Sequence, residues 1–240
     1  MIVMVHVSVI IPALNEEKYI VRTLESVRRQ KTPLDYEVIV ADNNSDDRTA
    51  EIAEKYADKV IVVKRRGVSI GRNGGAKKSR GKVLVFVDAD TTIPSNYLEV
   101  VNAVLGDDSI SGLSCAFKFD QQSRILDAIE ELSNSYLLFR GMMSNGEILG
   151  FNNAVRKETF FRVGGFPDRP MEDGAFARKL WKRGRVVYLP EPKVVTSARR
   201  ISKNGPLRCA AYYANLALIT DFPRIPLKKL AIFKNYLPVR

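Results

Sequence analysis

The stretch "VHVSVIIPALNEEKYIVRTLESVRRQKTPLDYEVIVADNNS", residues 5–45, carries the alternation that decides the fold. Val5 to Ile11 is β-branched, partly alternating and halted by Pro12, which reads as a strand ending in a loop. Glu16 to Arg29 then sets Ile20, Val21, Leu24 and Val27 on one helical stripe, with Asn15 as the expected N-cap. Tyr36 to Ala41 repeats the strand, Asp42 to Ser45 the polar loop, and Asp47 to Tyr56 the helix, capped by Ser45 or Asp46. A third strand over Lys59 to Val63, a short Gly-rich helix over Gly71 to Arg80 and a fourth strand over Lys82 to Val87 continue the cycle. Strand and helix alternating at this spacing predict an α/β fold with a mostly parallel central sheet covered by helices. Ligands of such sheets sit at the carboxyl ends of the strands.

After Pro94 the alternation loosens. Helices are expected over Tyr97 to Leu105, Ile125 to Phe139 and Glu172 to Trp181, and a long strand over Ile110 to Phe119. Gly150 to Val155 reads as a strand with tight backbone contact at Gly150, and Arg185 to Leu189 and Lys193 to Val195 as two short ones. Residues 1–200 therefore read as one domain and 201–240 as an amphipathic, basic tail with helices of its own. In that tail the apolar run Leu207 to Phe222 is followed by Lys228-Lys229, Phe233 and Tyr236. The pattern suits a helix at a membrane interface, a helix covering the core or a subunit contact.

Hydrophobic residues at 45% and charged residues at 27% are the proportions of a folded protein rather than a disordered one. A net charge of +11 suits a phosphate-bearing ligand, nucleic acid or an anionic membrane surface, and does not separate them. Cys115 and Cys209 match neither a zinc pattern nor a disulfide framework, and His6 has no second histidine to form a metal pair or a triad. Neither a leader nor an apolar run of about twenty residues is visible, so the expected location is cytoplasmic, with the tail able to meet the membrane face.

The carboxyl ends of the first, second and fourth strands carry Pro12-Ala13-Leu14-Asn15-Glu16, Asp42-Asn43-Asn44-Ser45 and Asp88-Ala89-Asp90. All three loops should line one rim. The two carboxylates of Asp88 and Asp90 repel each other unless solvent, a cation or a raised pKa relieves them. Mg²⁺ or Mn²⁺ takes such oxygens and bridges them to a diphosphate, which makes Asp88 and Asp90 the metal candidates. The plainer alternative is a loop in which Asp90 caps the next helix. Glu172-Asp173 opens a helix; the pair either compensates the helix dipole or supplies a general base at Asp173. Asp42 and Asn44 offer acceptors to a base or ribose. The run Gly71-Arg72-Asn73-Gly74-Gly75-Ala76 offers backbone N–H groups at a helix start, and Arg199-Arg200 can pair with phosphate oxygens.

Taken in order, "IPALNEE", "VIVADNNSDDRT", "GRNGGAKKSRGKVLVFVDADT", "FNNAVRKETFFRVGGFPDRPMEDGAFARKLWKRG" and "ARR" closely resemble family 2 glycosyltransferases of the GT-A fold over roughly residues 5 to 200. The resemblance implies transfer of a sugar, with inversion, from a nucleoside diphosphate sugar, usually with Mn²⁺ or Mg²⁺. It implies that Pro12, Ala13, Asn15, Glu16, Asp42 and Asn44 lie at the nucleoside, with Arg72 and Asn73 near it. Asp88 and Ala89 fall at the ribose side, Asp90 on the metal, and Asp173 of the Glu172-Asp173 pair on the general base. Many relatives place a metal-binding histidine late in the domain. This chain has none there, which leaves Asp90, diphosphate, Arg199 and Arg200 to share the charge and resembles polyprenyl-phosphate sugar transferases. GDP-mannose ranks first as donor and a UDP-sugar second, with a sugar hydroxyl or a polyprenyl phosphate as acceptor. Two rivals remain: a sugar-phosphate nucleotidyltransferase, against which the missing Gly-rich loop after the first strand argues, and a nucleic-acid-binding module, for which no interleaved basic and aromatic face is visible.

Overall fold

The computed structural model describes residues 5–143, 146–209 and 211. An eight-stranded sheet runs in the order β3-β2-β1-β4-β7-β6-β8-β5. Strands β1 (Val7–Ala13), β2 (Tyr36–Asp42), β3 (Lys59–Val62) and β4 (Val83–Val87) are mutually parallel. Beyond β4 the sheet becomes mixed: β7 (Asn152–Arg156) is antiparallel to both β4 and β6 (Ile110–Phe119), β8 (Arg185–Thr196) is parallel to β6, and the two-residue β5 (Thr91–Thr92) closes the edge. The helices are α1 (Ile20–Arg28), α2 (Thr49–Glu54), α3 (Val68–Lys78), α4 (Tyr97–Val104), α5 (Arg124–Met142), α6 (Lys157–Arg162), α7 (Glu172–Leu180) and α8 (Arg199–Asn204). The parallel half is the one predicted from the alternation over residues 5–87. The mixed half is where that alternation loosens.

Strand alternation sorts the side chains into two cores. Val7, Val9, Ile11, Val83, Val85 and Val87 face a core shared with Ile20, Leu24 and Val27 of α1 and with Leu98 and Val101 of α4. Ile10, Leu84 and Phe86 face the opposite side, packed with Phe160 of α6, Phe166, and Phe176 and Leu180 of α7. Period two along β1 and β4 therefore delivers one layer of helices to each face of the sheet.

Several boundaries differ from the sequence reading, each for a physical reason. Strand β1 continues through Pro12 to Ala13: its pairing with β4 ends at Ile10, so Pro12 pairs only with Ala41 of β2 and the missing N–H falls on an open side. Asn15 does not cap α1. It sits in the left-handed region at φ 56°, and its Oδ1 accepts the Asp46 N–H at 2.8 Å while its own N–H donates to Ser45 Oγ, stitching the first two loops together. The acid serving the start of α2 is Asp47, which accepts the Thr49 N–H at 2.9 Å, in place of Ser45 or Asp46. Arg185 to Thr196 is one strand rather than two.

Helix α3 begins at Val68, so Gly71 to Ala76 lie inside the helix and the Gly71 N–H donates to the Gly67 carbonyl. These N–H groups are spent within the helix and are not offered to an anion. The glycines serve close packing instead: a Cβ on Gly75 would stand 2.4 Å from Ile10 Cγ2, and one on Gly71 2.6 Å from Asn43 Nδ2. This approach brings Arg72 down onto the sheet. Helix α8 crosses the division expected at residue 200, and the remainder of the tail reading, from residue 212 onward, lies outside the described residues. No helix among the described residues is long and apolar enough to cross a membrane.

Candidate active site

The three polar loops lie together at the carboxyl ends of β1, β2 and β4. The Asn43 N–H donates to the Ala13 carbonyl at 2.7 Å, which joins the first loop to the second at the level of Pro12 and Ala13, both buried. Asp42 is also buried, and both its carboxylate oxygens accept from Ser45, one from the hydroxyl and one from the N–H. Asn44 is exposed at φ 60°. The Asp88-Ala89-Asp90 turn is held from beneath by α1, where Thr23 Oγ1 donates to the Ala89 carbonyl at 2.8 Å.

Each carboxylate of the turn has an arginine. Asp90 meets Arg199 Nη2 at 2.9 Å. Arg199 in turn grips Glu16 with both guanidinium nitrogens, at 2.6 and 2.7 Å, and lies 4.5 Å from the centroid of the Tyr19 ring. Burial pushes the Asp90 carboxyl up to about 6; Arg199 pulls it back, and the charges of Asp88 and Glu16 add to the rise. Glu16, expected at the nucleoside, is thus buried and committed to Arg199. Arg200 follows Arg199 in the first turn of α8, half-buried.

Asp88 meets a different arginine. The side chain of Arg72 is only 2% exposed, and its two terminal nitrogens reach Asp88 Oδ1 at 2.8 Å and Glu172 Oε1 at 2.7 Å. Its guanidinium carbon lies 5.2 Å from the centroid of the Phe166 ring. Burial opposes the charge on Arg72, but Asp88 and Glu172 outweigh it and hold the guanidinium above its ordinary pKa. Arg72 is therefore an internal bridge rather than a group presented at the rim. Asn73 is likewise turned away from a ligand: its amide donates to the Phe166 carbonyl at 2.8 Å and accepts the Phe166 N–H at 3.0 Å, clamping the Gly164-Gly165-Phe166-Pro167 turn.

That turn leads into α7, whose first residues are Glu172 and Asp173. Asp173 is partly open to solvent; its Oδ1 accepts the Gly174 N–H at 2.8 Å and its Oδ2 the Gly150 N–H at 3.3 Å. Burial is the first cause of its raised pKa and the Glu172 charge the second, against the two N–H donors and Arg72. A carboxylate with raised proton affinity at the ligand rim has the character of a general base. The tight contact expected at Gly150 is present, since a Cβ there would lie 2.7 Å from Arg72 Nη2.

Three further residues complete the site; the sequence reading does not place them there and marks Gly150 for close backbone packing alone. Tyr19 stacks on Arg199, Phe166 underlies Arg72, and Gly150 lends its N–H to Asp173. Only Gly150 had a local signal, a glycine opening a strand. Among the described residues no group of three or more His, Cys, Asp and Glu side chains converges to hold an ion.

The sequence profile described as glycosyl transferase family 2 matches residues 8–163. The chain belongs to that family. A probable glycosyltransferase, YdaM, of Bacillus subtilis (strain 168) is 30% identical over 204 residues, covering 74% of this chain and 47% of that protein. Among solved structures, the mannosyltransferase PcManGT from Pyrobaculum calidifontis in complex with GDP-Man and Mn²⁺ superposes with a TM-score of 0.72 at 24% identity, covering 97% of this chain and 69% of that one. The S. aureus TarS 1–349 structure in complex with UDP-GlcNAc gives 0.65 at 22% identity, covering 80% and 58%. The fold of this family 2 member is therefore GT-A. The family match decides against both rivals, the nucleotidyltransferase and the nucleic-acid-binding module. The chain spans less than half the length of the first curated relatives it matches.

Proposed function

We propose that the chain is an inverting glycosyltransferase that moves a hexose from a nucleoside diphosphate sugar to a hydroxyl acceptor. The observation that supports this most strongly is one buried arginine, Arg72, in contact with both Asp88 at the end of β4 and Glu172, the neighbour of Asp173 in the first turn of α7. Asp90, in the same acidic turn as Asp88, pairs with Arg199. The nucleoside lies over Pro12, Ala13, Asp42 and Asn44, the diphosphate beside Asp90 and Arg199, and the acceptor on the Asp173 side. GDP-mannose is the first donor and a UDP-sugar the second, in keeping with the GDP-Man and UDP-GlcNAc held by the structural neighbours.

Asp88 and Asp90 are hard oxygen donors, and two carboxylates suit Mn²⁺ or Mg²⁺ only if the diphosphate completes the set. The ion, when bound, offsets charge on the leaving diphosphate. Asp173 accepts the proton of the acceptor hydroxyl as its oxygen bonds to the anomeric carbon. The bond from that carbon to the diphosphate oxygen breaks, and the electron pair leaves with the diphosphate. Arg199, which already pairs with the carboxylates of Asp90 and Glu16, can turn from Asp90 toward a phosphate oxygen, an anionic partner of the same kind. A single displacement with one base inverts the anomeric centre. A hydroxyl suits this arrangement better than a polyprenyl phosphate, because an anionic acceptor needs no base and would be repelled by Asp173 and Glu172.

The direct test is proton NMR of the product formed from GDP-mannose, and in parallel from UDP-glucose, with Mn²⁺ and simple glycoside acceptors. The expected product carries the anomeric configuration opposite to that of the donor. A product of retained configuration would overturn the single-displacement reading.

A further inference from the structure

We infer that Arg72 is a positioning residue of the transfer reaction, tying the donor-side carboxylate of Asp88 to the first turn of α7, which presents Asp173. The inference rests on the reading of Asp173 as the base. Two routes connect these carboxylates and together they close a ring. The ionic route runs from Asp88 Oδ1 to Arg72 Nη2 at 2.8 Å, then from Arg72 Nη1 to Glu172 Oε1 at 2.7 Å, and Glu172 is bonded to Asp173. The backbone route runs from Asp173 Oδ2 to the Gly150 N–H at 3.3 Å, along the chain to Phe151, and from the Phe151 carbonyl to the Asp88 N–H at 3.2 Å.

The burial and contacts of Arg72 favour a fixed bridge over a ligand contact, with its buried Nε alone of the three guanidinium nitrogens left without a hydrogen-bond partner. The side chain is 2% exposed and both terminal nitrogens are occupied. Phe166 lies against its guanidinium, and Gly150 is so close that a side chain there would have to displace Arg72. Only a planar fork spans two carboxylates in this way; a lysine has one point of charge and reaches one of them well. The ring fixes the base relative to the donor carboxylate, and a misplacement of about 1 Å at such a site costs about 10²-fold in rate.

The test compares wild type with Arg72→Lys and Glu172→Gln, following hydrolysis of GDP-mannose and UDP-glucose with Mn²⁺ from about pH 5 to about pH 9. Glu172 is part of the bridge and less buried than Arg72, 15% against 2% exposed, so its variant reports on positioning even if Arg72→Lys fails to fold. Both variants are expected to lose about 10²-fold in kcat while the donor KM stays within about threefold. In Glu172→Gln the acid limb of the rate profile should also move to lower pH, because the charge that raises the proton affinity of Asp173 is gone. A kcat within about threefold of wild type in the folded variants, or a donor KM that rises in proportion to the loss of rate, would overturn the inference. A wild-type chain inert toward every donor overturns the transferase reading and this inference with it, and that result needs no variant to recognise.

Discussion

Replacing Asp173 with asparagine is expected to leave donor binding near normal and to lower transfer by about 10²-fold or more, the contribution of a positioned base. The asparagine keeps the shape, and its Oδ1 can still accept an N–H from Gly174 or Gly150, so the fold around α7 is retained. The same change should make the protein more stable at neutral and alkaline pH. The carboxyl of Asp173 has a pKa raised above the ordinary aspartate value of 3.8. Between that value and the raised one the folded state binds more protons than the unfolded state, so stability falls as pH rises through the window. Above it the wild type carries the full cost of an ionised, crowded carboxylate and the asparagine variant does not. Melting temperatures should therefore favour Asp173→Asn at about pH 8, with the gap narrowing as pH falls. Unchanged turnover would remove Asp173 from the chemistry, and an equal gap at all pH values would remove its raised pKa.

The largest loss of stability is expected from Phe86→Ala. Phe86 is fully buried on β4, two residues before Asp88, with the rings of Phe160 and Phe166 at 5.4 and 5.1 Å from its own. Phe166 also packs against Phe176 at 4.3 Å, so α6, the turn and α7 share one aromatic layer beneath the site. Truncating a buried phenylalanine in such a layer costs about 3–5 kcal/mol, a large share of a stability of about 5–15 kcal/mol. Equilibrium urea denaturation should show a much lower midpoint with an unchanged slope. A loss below about 1 kcal/mol would mean that the layer is not packed as described.

The parallel half of the sheet was readable because its strands are β-branched runs, polar loops follow them, and the first helix shows a clear apolar stripe at Ile20, Leu24 and Val27. The position of the loops at one rim follows from that alternation alone. What local patterns could not supply are long-range contacts and weak helix ends. The start of α3 at Val68 has no side-chain cap, since Gly67 precedes it, so the glycine run looked like the beginning of the helix. Helices α6 and α8 have six residues each, too short for a stripe to show. The role of Arg72 depends on which strand α3 crosses, and its partners lie 16 and 100 residues away. Glu16 and Arg199 are 183 residues apart, and nothing local to Glu16 marks it as the partner of an arginine. The residue types at the site were thus legible, and their pairings were not.

The central claim is that this rim binds a nucleoside diphosphate together with a divalent ion through Asp90. Thermal melting of the wild type and of Asp90→Ala with GDP, UDP, dTDP and CDP, each with and without Mn²⁺, tests it most directly. A ligand at about 100 times its Kd stabilises the folded state by about 2.7 kcal/mol. For a chain of this size that is a rise of about 5–10 °C. One of the nucleotides, GDP first and UDP second, should raise the wild-type melting temperature by this order only when Mn²⁺ is present, and Asp90→Ala should lose the Mn²⁺-dependent part. No rise with any nucleotide, or the same Mn²⁺-dependent rise in Asp90→Ala, would contradict the account.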